Sequence, residues 1–139
     1  MLRFKPTVKK LMIADALHSF PDECCGFFFG EETVEARIIS KAIAVENAKV
    51  GDKRRQFEIS PTDYLKAEQY ADEHHLQLLG VYHSHPNHPA IPSEHDRIAA
   101  QQYFSYSIIS IMNKEFADLR SWRLNDEQQF AEEEISDDR

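Results

Sequence analysis

The spacing of apolar residues predicts three helices along the chain. Between residues 7 and 19, apolar side chains recur at helical intervals behind a threonine that suits the N-cap. A second helix is predicted from Ser60 to about residue 73, because Ser60 suits the cap and Pro61 suits the first helical position. A shorter helical pattern follows Ser93 and reaches about residue 102.

Short apolar runs bounded by turn residues predict the strands between these helices. They cover residues 25–29, 34–39, 43–45, 56–59, 76–85, 106–112 and 116–124, with a weaker candidate at 130–135 that contains three glutamates. The pair 106–112 and 116–124 is predicted to form a hairpin across Asn113. The pattern therefore indicates a single mixed α/β domain over residues 1–139, with an acidic tail from about residue 126 that is expected to be solvated.

Two histidines lie at the end of the strand predicted at 76–85. Side chains two residues apart on a strand point to the same side, so His83 and His85 can both reach one metal ion. Pro86 ends regular pairing directly after them. Two imidazoles at a strand end are typical of a catalytic zinc site, which takes three protein ligands and keeps one position open.

A third ligand is available from the helix that follows. Ser93 is a suitable N-cap and Asp96 lies three residues later, in the first turn. These two residues could serve only to cap the helix, where the helix dipole favours an aspartate. Their position directly after the histidine pair favours Asp96 as a metal ligand.

The arrangement His83-x-His85, seven further residues and then Ser93-x-x-Asp96 resembles the signature of the JAMM (MPN-plus) zinc metalloproteases. That family also carries a glutamate far upstream, and Glu23 lies in a segment similar to the one that holds it. The resemblance covers roughly residues 1–125. The short chain is similar to the prokaryotic branch, which includes peptidases that process sulfur-carrier proteins.

The resemblance implies a fold, a cofactor and roles for individual residues. The fold would be a deaminase-like α/β sandwich with a mixed, curved sheet flanked by helices. One Zn²⁺ per chain would be held by His83, His85 and Asp96, with Glu23 as general acid/base and Ser93 as oxyanion support. The implied activity is hydrolysis of the peptide or isopeptide bond after the C-terminal Gly-Gly of a ubiquitin-like or sulfur-carrier protein.

Composition narrows the possible partners and the compartment. A net charge of −8 argues against nucleic acid, because binding to phosphates needs clustered Lys and Arg. The start of the chain does not resemble a signal peptide, and no apolar run is long enough for a membrane span. The adjacent Cys24 and Cys25 are expected to be reduced and buried, which indicates a cytoplasmic protein.

Other functions remain open at this stage. A metal-free MPN-type scaffold is one alternative, and a zinc amidase acting on a small molecule is another. A nucleobase deaminase is disfavoured because the sequence lacks the Pro-Cys-x-x-Cys ligand pair. Two histidines and a carboxylate also suit Fe(II) or Mn(II). Cys25 could be imagined as a thiol nucleophile, but a buried free cysteine is the simpler interpretation.

Several further residues receive structural interpretations. His88 and His95 flank the motif and are expected at surface positions, and Trp122 is expected in the core of the closing hairpin.

A cluster of cations lies in one loop of an otherwise acidic chain: Lys49, Lys53, Arg54 and Arg55. This loop is either simply solvated or a contact surface for an acidic protein partner near the cleft.

Overall fold

The computed structural model describes residues 1–138 of the chain. In chain order the elements are β1 (Leu2–Phe4), α1 (Pro6–Ser19), β2 (Cys25–Glu32), β3 (Arg37–Val45), α2 (Pro61–Glu73), β4 (Gln77–Pro86), α3 (Glu94–Ala99), β5 (Ser105–Met112), β6 (Glu115–Leu124), β7 (Phe130–Glu133) and β8 (Ile135–Asp137). Among these residues, no helix is both long and apolar enough to cross a membrane.

All the strands belong to one mixed sheet in the order β7-β6-β5-β4-β2-β3-β1-β8. β4 pairs in parallel with β5 and in antiparallel fashion with β2, so the histidine-bearing strand lies in the middle of the sheet. β7 and β8 are separated by Glu134 alone, yet they pair with opposite edges of the sheet. The sheet is therefore strongly curved and nearly closed, which confirms the predicted fold class.

A helix covers each face of the sheet. β2 alternates its side chains, so that Phe28 packs on the side of α1 while Phe27 and Phe29 pack on the side of α2. Met12 of α1 and Ala67 of α2 are buried in these two separate apolar clusters. Burial on both faces explains why β2 and β4 are continuous apolar runs in the sequence.

The predicted helices are present, with small differences at their ends. α2 begins as expected, because the Ser60 hydroxyl accepts a hydrogen bond from the Asp63 N–H at 3.1 Å. α1 begins at Pro6 with Lys5 as its N-cap, two residues earlier than the predicted cap at Thr7. α3 ends at Ala99, so the predicted extension to residue 102 is wrong.

Two of the predicted strands are wrong in detail. Residues 34–36 form a turn closed by the Thr33 hydroxyl, and one strand, β3, runs without interruption where two were predicted. Residues 56–59 form no strand, because their main chain bonds to the Asn47 side chain and, from Glu58, to Ala48. β1 was not predicted, since three residues are too few to show a period.

The acidic tail is part of the fold. It was expected to be a solvated end, but β7 and β8 use it to close the sheet. Ile135 packs against the core on the side of α1, while Asp137 and Asp138 pair with Lys9 and Lys5 at 3.5 and 3.2 Å. The weak strand predicted over 130–135 is thus two strands, divided at Glu134.

The closing hairpin of β5 and β6 is confirmed. It turns at Asn113 and Lys114, which both adopt positive φ angles of 52° and 67°. Trp122 is only half-buried, so its prediction as a core residue is wrong. Its indole N–H donates to the carbonyl oxygen of Ala90 at 3.1 Å, which ties β6 to the loop between β4 and α3.

Candidate metal centre

The site lies where β4 leaves the sheet. His83 and His85 lie within the last four residues of β4 and point to the same side of the strand. Cys25, the first residue of β2, is paired directly with His83, so Glu23 comes within reach of both histidines. The loop after β4 then brings Ser93 and the start of α3 back over the strand end.

Three side-chain atoms converge at this point. The Nε2 atoms of His83 and His85 are 3.2 Å apart, and the Oδ2 atom of Asp96 lies 3.3 and 3.2 Å from them respectively. A tetrahedral ion with ligand distances of about 2.0–2.1 Å holds its ligand atoms roughly 3.3–3.4 Å apart. The spacing of the three atoms therefore fits the face of a tetrahedral metal site.

Both histidines direct Nε2 towards the cluster, as metal coordination requires. The Nδ1–H of His85 donates to the carbonyl oxygen of Pro89 at 2.8 Å, which leaves the lone pair on Nε2 facing the cluster. Burial lowers the pKa of His83, against the opposing charge of Asp96, so its ring is neutral and can act as a ligand. The ring of Phe57 stacks on His83 at 4.4 Å between centroids and fixes its plane.

Asp96 both caps α3 and faces the histidines. Its Oδ2 accepts a hydrogen bond from the Ser93 N–H at 2.9 Å, and its own N–H donates to the Ser93 hydroxyl at 3.0 Å. Burial acts to raise the pKa of Asp96, but its electrostatic interaction with the His83 ring and its hydrogen bonds with His83, His85 and the Ser93 N–H outweigh burial and hold that pKa well below its usual range. The carboxylate is therefore anionic, as a metal ligand must be.

Glu23 is the second carboxyl group of the site, and its hydrogen bonding and pKa differ from those of Asp96. It is 5% exposed, and its ligand atom falls within a wider 4.8 Å grouping with the two histidines. Its Oε1 has no hydrogen-bond partner among residues 1–138. Burial, and then the charge of Asp96, raises the pKa of Glu23 to about 9. Asp96, with its shorter distances, is the better third ligand, and Glu23 is the better proton carrier.

The main chain around Glu23 is held on several sides. The Cys24 N–H donates to the hydroxyl of Ser84, the residue between the two histidines, at 2.8 Å. The Glu23 N–H donates to the carbonyl oxygen of Lys53 at 2.7 Å, and its carbonyl accepts from the Asn47 amide at 3.2 Å. These bonds fix the carboxyl group relative to β4.

Two cavities adjoin the cluster, one on each side. One, of ≈390 Å³, is lined by Glu23, Arg55, His85, His88, Pro89, Ile91 and Ser93. The other, also ≈390 Å³, is lined by His83, His95 and Asp96 together with aromatic residues such as Phe57, Tyr64 and Tyr106. A larger cavity of ≈460 Å³ between β3 and α2 contains none of the clustered residues.

The structure brings together all five residues that the motif singled out. The donor set of two imidazole nitrogens and one carboxylate oxygen fits Zn²⁺, and also Fe(II) or Mn(II). His88 and His95 line the cavities but lie outside the three-atom cluster. Sequence reasoning missed Ser84, Asn47 and Phe57, because only the folded chain brings them to the site; for Ser84 its position between the histidines was a signal.

The thiols do not form a second reactive centre. Cys24 and Cys25 are both free and buried, as predicted. Burial, and then the charge of Asp15, raises the pKa of Cys25 to about 12 and that of Cys24 further. A thiol that stays protonated at neutral pH is a poor nucleophile, which argues against cysteine catalysis.

Comparison with known proteins shows what this chain is similar to. A family model described as prokaryotic homologues of the JAB domain matches residues 6–125. The Desampylase of Pyrococcus furiosus is 30% identical over 115 residues, covering 81% of this chain and 74% of that protein. A solution structure from Desulfitobacterium hafniense is 26% identical with a TM-score of 0.87, over 99% of this chain and 93% of that one.

A more distant structure is described as JAMM, a metalloprotease-like zinc site in the proteasome and signalosome. It is 14% identical with a TM-score of 0.63, covering 100% of this chain and 99% of that one. At this identity the likeness concerns the fold alone. It shows that the curved sheet with its few helices is the architecture of JAMM proteins.

Proposed function

The chain belongs to the family of prokaryotic homologues of the JAB domain, and on that premise we propose that it is a zinc-dependent (iso)peptidase. Its substrate would be a ubiquitin-like or sulfur-carrier protein, cut after a C-terminal Gly-Gly. The observation that carries this proposal is the convergence of the two Nε2 atoms and the Asp96 Oδ2 within 3.3 Å, beside the carboxyl group of Glu23.

The donor atoms define which residues would hold the ion. His83, His85 and Asp96 would be the ligands, each already oriented by a partner: Phe57, Pro89 and Ser93 respectively. Zinc bound there would supply a water molecule whose pKa is lowered to about 7, available for attack on a carbonyl carbon.

Glu23 would move the proton. Its Oε1 is buried and has no partner within residues 1–138. With a pKa of about 9 this carboxyl group would hold a proton at neutral pH, but the positive charge of a bound divalent ion would lower that pKa and leave a carboxylate that can accept a proton from the attacking water. It would then donate that proton to the leaving nitrogen. The bonds from Lys53, Asn47 and Ser84 to the main chain of residues 23 and 24 keep this carboxyl group in position during both transfers.

Ser93 would support the oxyanion. Its hydroxyl oxygen accepts the Asp96 N–H, which leaves its own proton free to donate to the carbonyl oxygen as negative charge develops there. A single donor of this kind contributes a factor of roughly 100–1000 to the rate. Ser93 is exposed and lines the same cavity as Glu23, so a substrate carbonyl can reach it.

The choice of substrate class rests on the family and on the shape of the site. The likeness to a desampylase supports a peptidase that acts on ubiquitin-like modifiers. A Gly-Gly tail has no side chains, so its main chain can approach the closely spaced groups of the site. A cytoplasmic location belongs to the same proposal and is supported by two free, buried cysteines.

The proposal is tested by metal content and cleavage together. We expect about one zinc per chain in the wild-type protein and much less in Asp96→Ala, measured by mass spectrometry of the purified proteins. A carrier protein extended beyond its Gly-Gly should be cut by the wild type, and Glu23→Gln should lose roughly 100- to 10,000-fold in kcat while retaining zinc. The exposed Glu68 of α2, which lines neither cavity, gives the control Glu68→Gln, which should remain active.

Two other outcomes would favour the alternatives. Absence of zinc in the wild type, even after incubation with the metal, would contradict the hydrolase and favour a scaffold role. Zinc binding with cleavage of small amides but not of any Gly-Gly-extended carrier would favour a small-molecule amidase.

A further inference from the structure

Arg55 is the one cation of the basic loop (residues 46–60) that lines the cavity of Glu23, His85 and Ser93. It is exposed and forms no ion pair within residues 1–138, although its charge acts on Asp52 at longer range. The loop neutralises two of its other cations internally: Lys49 pairs with Glu58 at 3.3 Å, and Arg54 pairs with Asp52 at 3.4 Å. Of the two remaining cations, Lys53 and Arg55, neither forms an ion pair within residues 1–138, and only Arg55 lines this cavity, so the positive charge of the loop reaches the cleft through Arg55.

The main chain on both sides of Arg55 is fastened to Glu23. The Lys53 carbonyl accepts the Glu23 N–H at 2.7 Å, and Asn47 donates from one amide nitrogen to the carbonyls of Glu23 and Gln56 at 3.2 and 3.1 Å. The arginine is thus positioned by the same contacts that position the proton-carrying carboxyl group.

The two cavities beside the cluster have different chemistry. The cavity with His83 and Asp96 is lined by aromatic rings, whereas the cavity with Arg55 contains Glu23. In the proposed reaction Glu23 hands a proton to the leaving nitrogen, so the leaving segment must lie on its side. At ≈390 Å³ this cavity is near the lower end of the range of about 300–1,000 Å³ for small-ligand sites, which suits a segment of one or two residues.

A guanidinium without an ion pair in such a cavity can bind the α-carboxylate of a short leaving segment. The fork of N–H donors on arginine binds a carboxylate through two parallel hydrogen bonds. A peptide of one or two residues released from a C terminus carries its α-carboxylate close to the bond that is cut. A lysine that is joined through its side chain and continues into a folded protein offers no carboxylate at that distance.

Building on the proposed function, we propose that Arg55 is a specificity residue that binds the α-carboxylate of a short C-terminal extension after Gly-Gly. The reaction is then a hydrolysis in which water adds across the C–N bond. The carrier glycine gains the hydroxyl oxygen and becomes a carboxylate, and the released residue gains a proton on its nitrogen. Arg55 contacts only the leaving segment and takes no part in proton transfer.

Binding tests this role independently of turnover. The probe is a fluorescein-labelled peptide ending in Gly-Gly-Ala, either as the free acid or as the C-terminal amide, added to zinc-loaded Glu23→Gln protein. We expect the acid to bind about tenfold more tightly than the amide, and Arg55→Gln to remove that difference, with partial retention in Arg55→Lys. The matched control Arg54→Gln removes the same charge and should keep the preference. Equal binding of the acid and the amide by the zinc-loaded Glu23→Gln protein would overturn the inference. Loss of the preference in Arg54→Gln as well as in Arg55→Gln would also overturn it.

Cleavage of the same peptides separates this inference from the proposed function. The wild type should cut the acid about tenfold faster in kcat/KM than the amide or a lysine-linked isopeptide, and Arg55→Gln should slow only the acid. Comparable rates on all three substrates would uphold the peptidase and reject the carboxylate subsite. If the wild type cuts none of them, the proposed function fails, and the binding ratio alone decides the role of Arg55.

Discussion

The hydroxyl of Ser84 accepts a hydrogen bond from the main-chain N–H of Cys24 at 2.8 Å. Ser84 lies between the two histidines but points to the opposite side of β4, into the start of β2. The bond therefore connects the strand that carries two candidate ligands to the residue next to the candidate acid/base, Glu23.

We expect Ser84→Ala to reduce kcat several-fold while zinc content stays close to one per chain. The Cys24 N–H would lose its buried partner, and the free energy of unfolding should fall by about 1–3 kcal/mol. Ser107→Ala is the control, because Ser107 bonds to Ser121 within the neighbouring strands and does not touch Glu23. Ser107→Ala should lower the free energy of unfolding, measured by urea unfolding, without a matching loss of kcat, measured by steady-state kinetics. Equal loss of kcat in the two variants would contradict a positioning role for Ser84.

The parts of the site that lie close together in the sequence could be predicted from it. Two-residue periodicity on a strand brings His83 and His85 to one side, and the cap of α3 fixes Asp96 relative to Ser93. Glu23 comes to them across the β2–β4 pairing, which no local pattern encodes, so it was found only through resemblance to the family. The sequence indicated Arg55 only as one of four cations in a loop near the cleft, because a loop without periodicity does not show which side chain enters the cleft.

The fold shows the same division between local and long-range information. α2 and the β5–β6 hairpin follow from a capping serine, a proline and alternating apolar residues. β8 could not be predicted in this way, because three glutamates and two aspartates surround Ile135 in the sequence and leave no apolar pattern. Ile135 packs against the core because β8 pairs with β1, at the other end of the chain. Pairing between the two termini is a tertiary effect that overrides local polarity.

The buried thiols give a prediction that depends on pH. Since burial raises the pKa of Cys25 to about 12, its reactive thiolate is scarce in the folded protein at pH 8. We expect iodoacetamide to modify the native protein far more slowly than the urea-unfolded protein, with the native rate rising as pH approaches 12. Cys25→Ala should retain turnover within about twofold. Rapid alkylation of the native protein at pH 8, or loss of turnover in Cys25→Ala with its zinc and fold intact, would return cysteine catalysis to consideration.

The role of the acidic tail is tested by two substitutions in β8. Ile135→Asp places a charge where an apolar side chain packs against the core, and should lower the free energy of unfolding by about 2 kcal/mol or more. Asp137→Asn loses only an exposed ion pair with Lys9 and should change it by less than about 0.5 kcal/mol. Urea unfolding monitored by circular dichroism measures both. A similarly small effect of both substitutions would mean that the tail is solvated after all.

Asn47 gives the last prediction, because one side chain organises the whole basic loop. Its amide donates to Glu23 and Gln56, and its Oδ1 accepts the N–H groups of Lys49 and Glu58 at 3.0 and 3.1 Å. Asn47→Ala removes all four bonds and should let the loop separate from Glu23.

Trypsin reports this opening directly, since the loop contains Lys49, Lys53, Arg54 and Arg55. We expect cleavage in the loop to become about tenfold faster in Asn47→Ala, because the loss of net bonds worth about 1 kcal/mol or more raises the open population by that order. Turnover should fall as well, since Glu23 loses a main-chain partner. Asn125→Ala is the control: Asn125 organises the β6–β7 turn by accepting from the N–H groups of residues 127 and 129 at 2.9 and 3.0 Å. If both variants speed loop cleavage equally, the loop opens through general destabilisation and Asn47 does not couple it to the site.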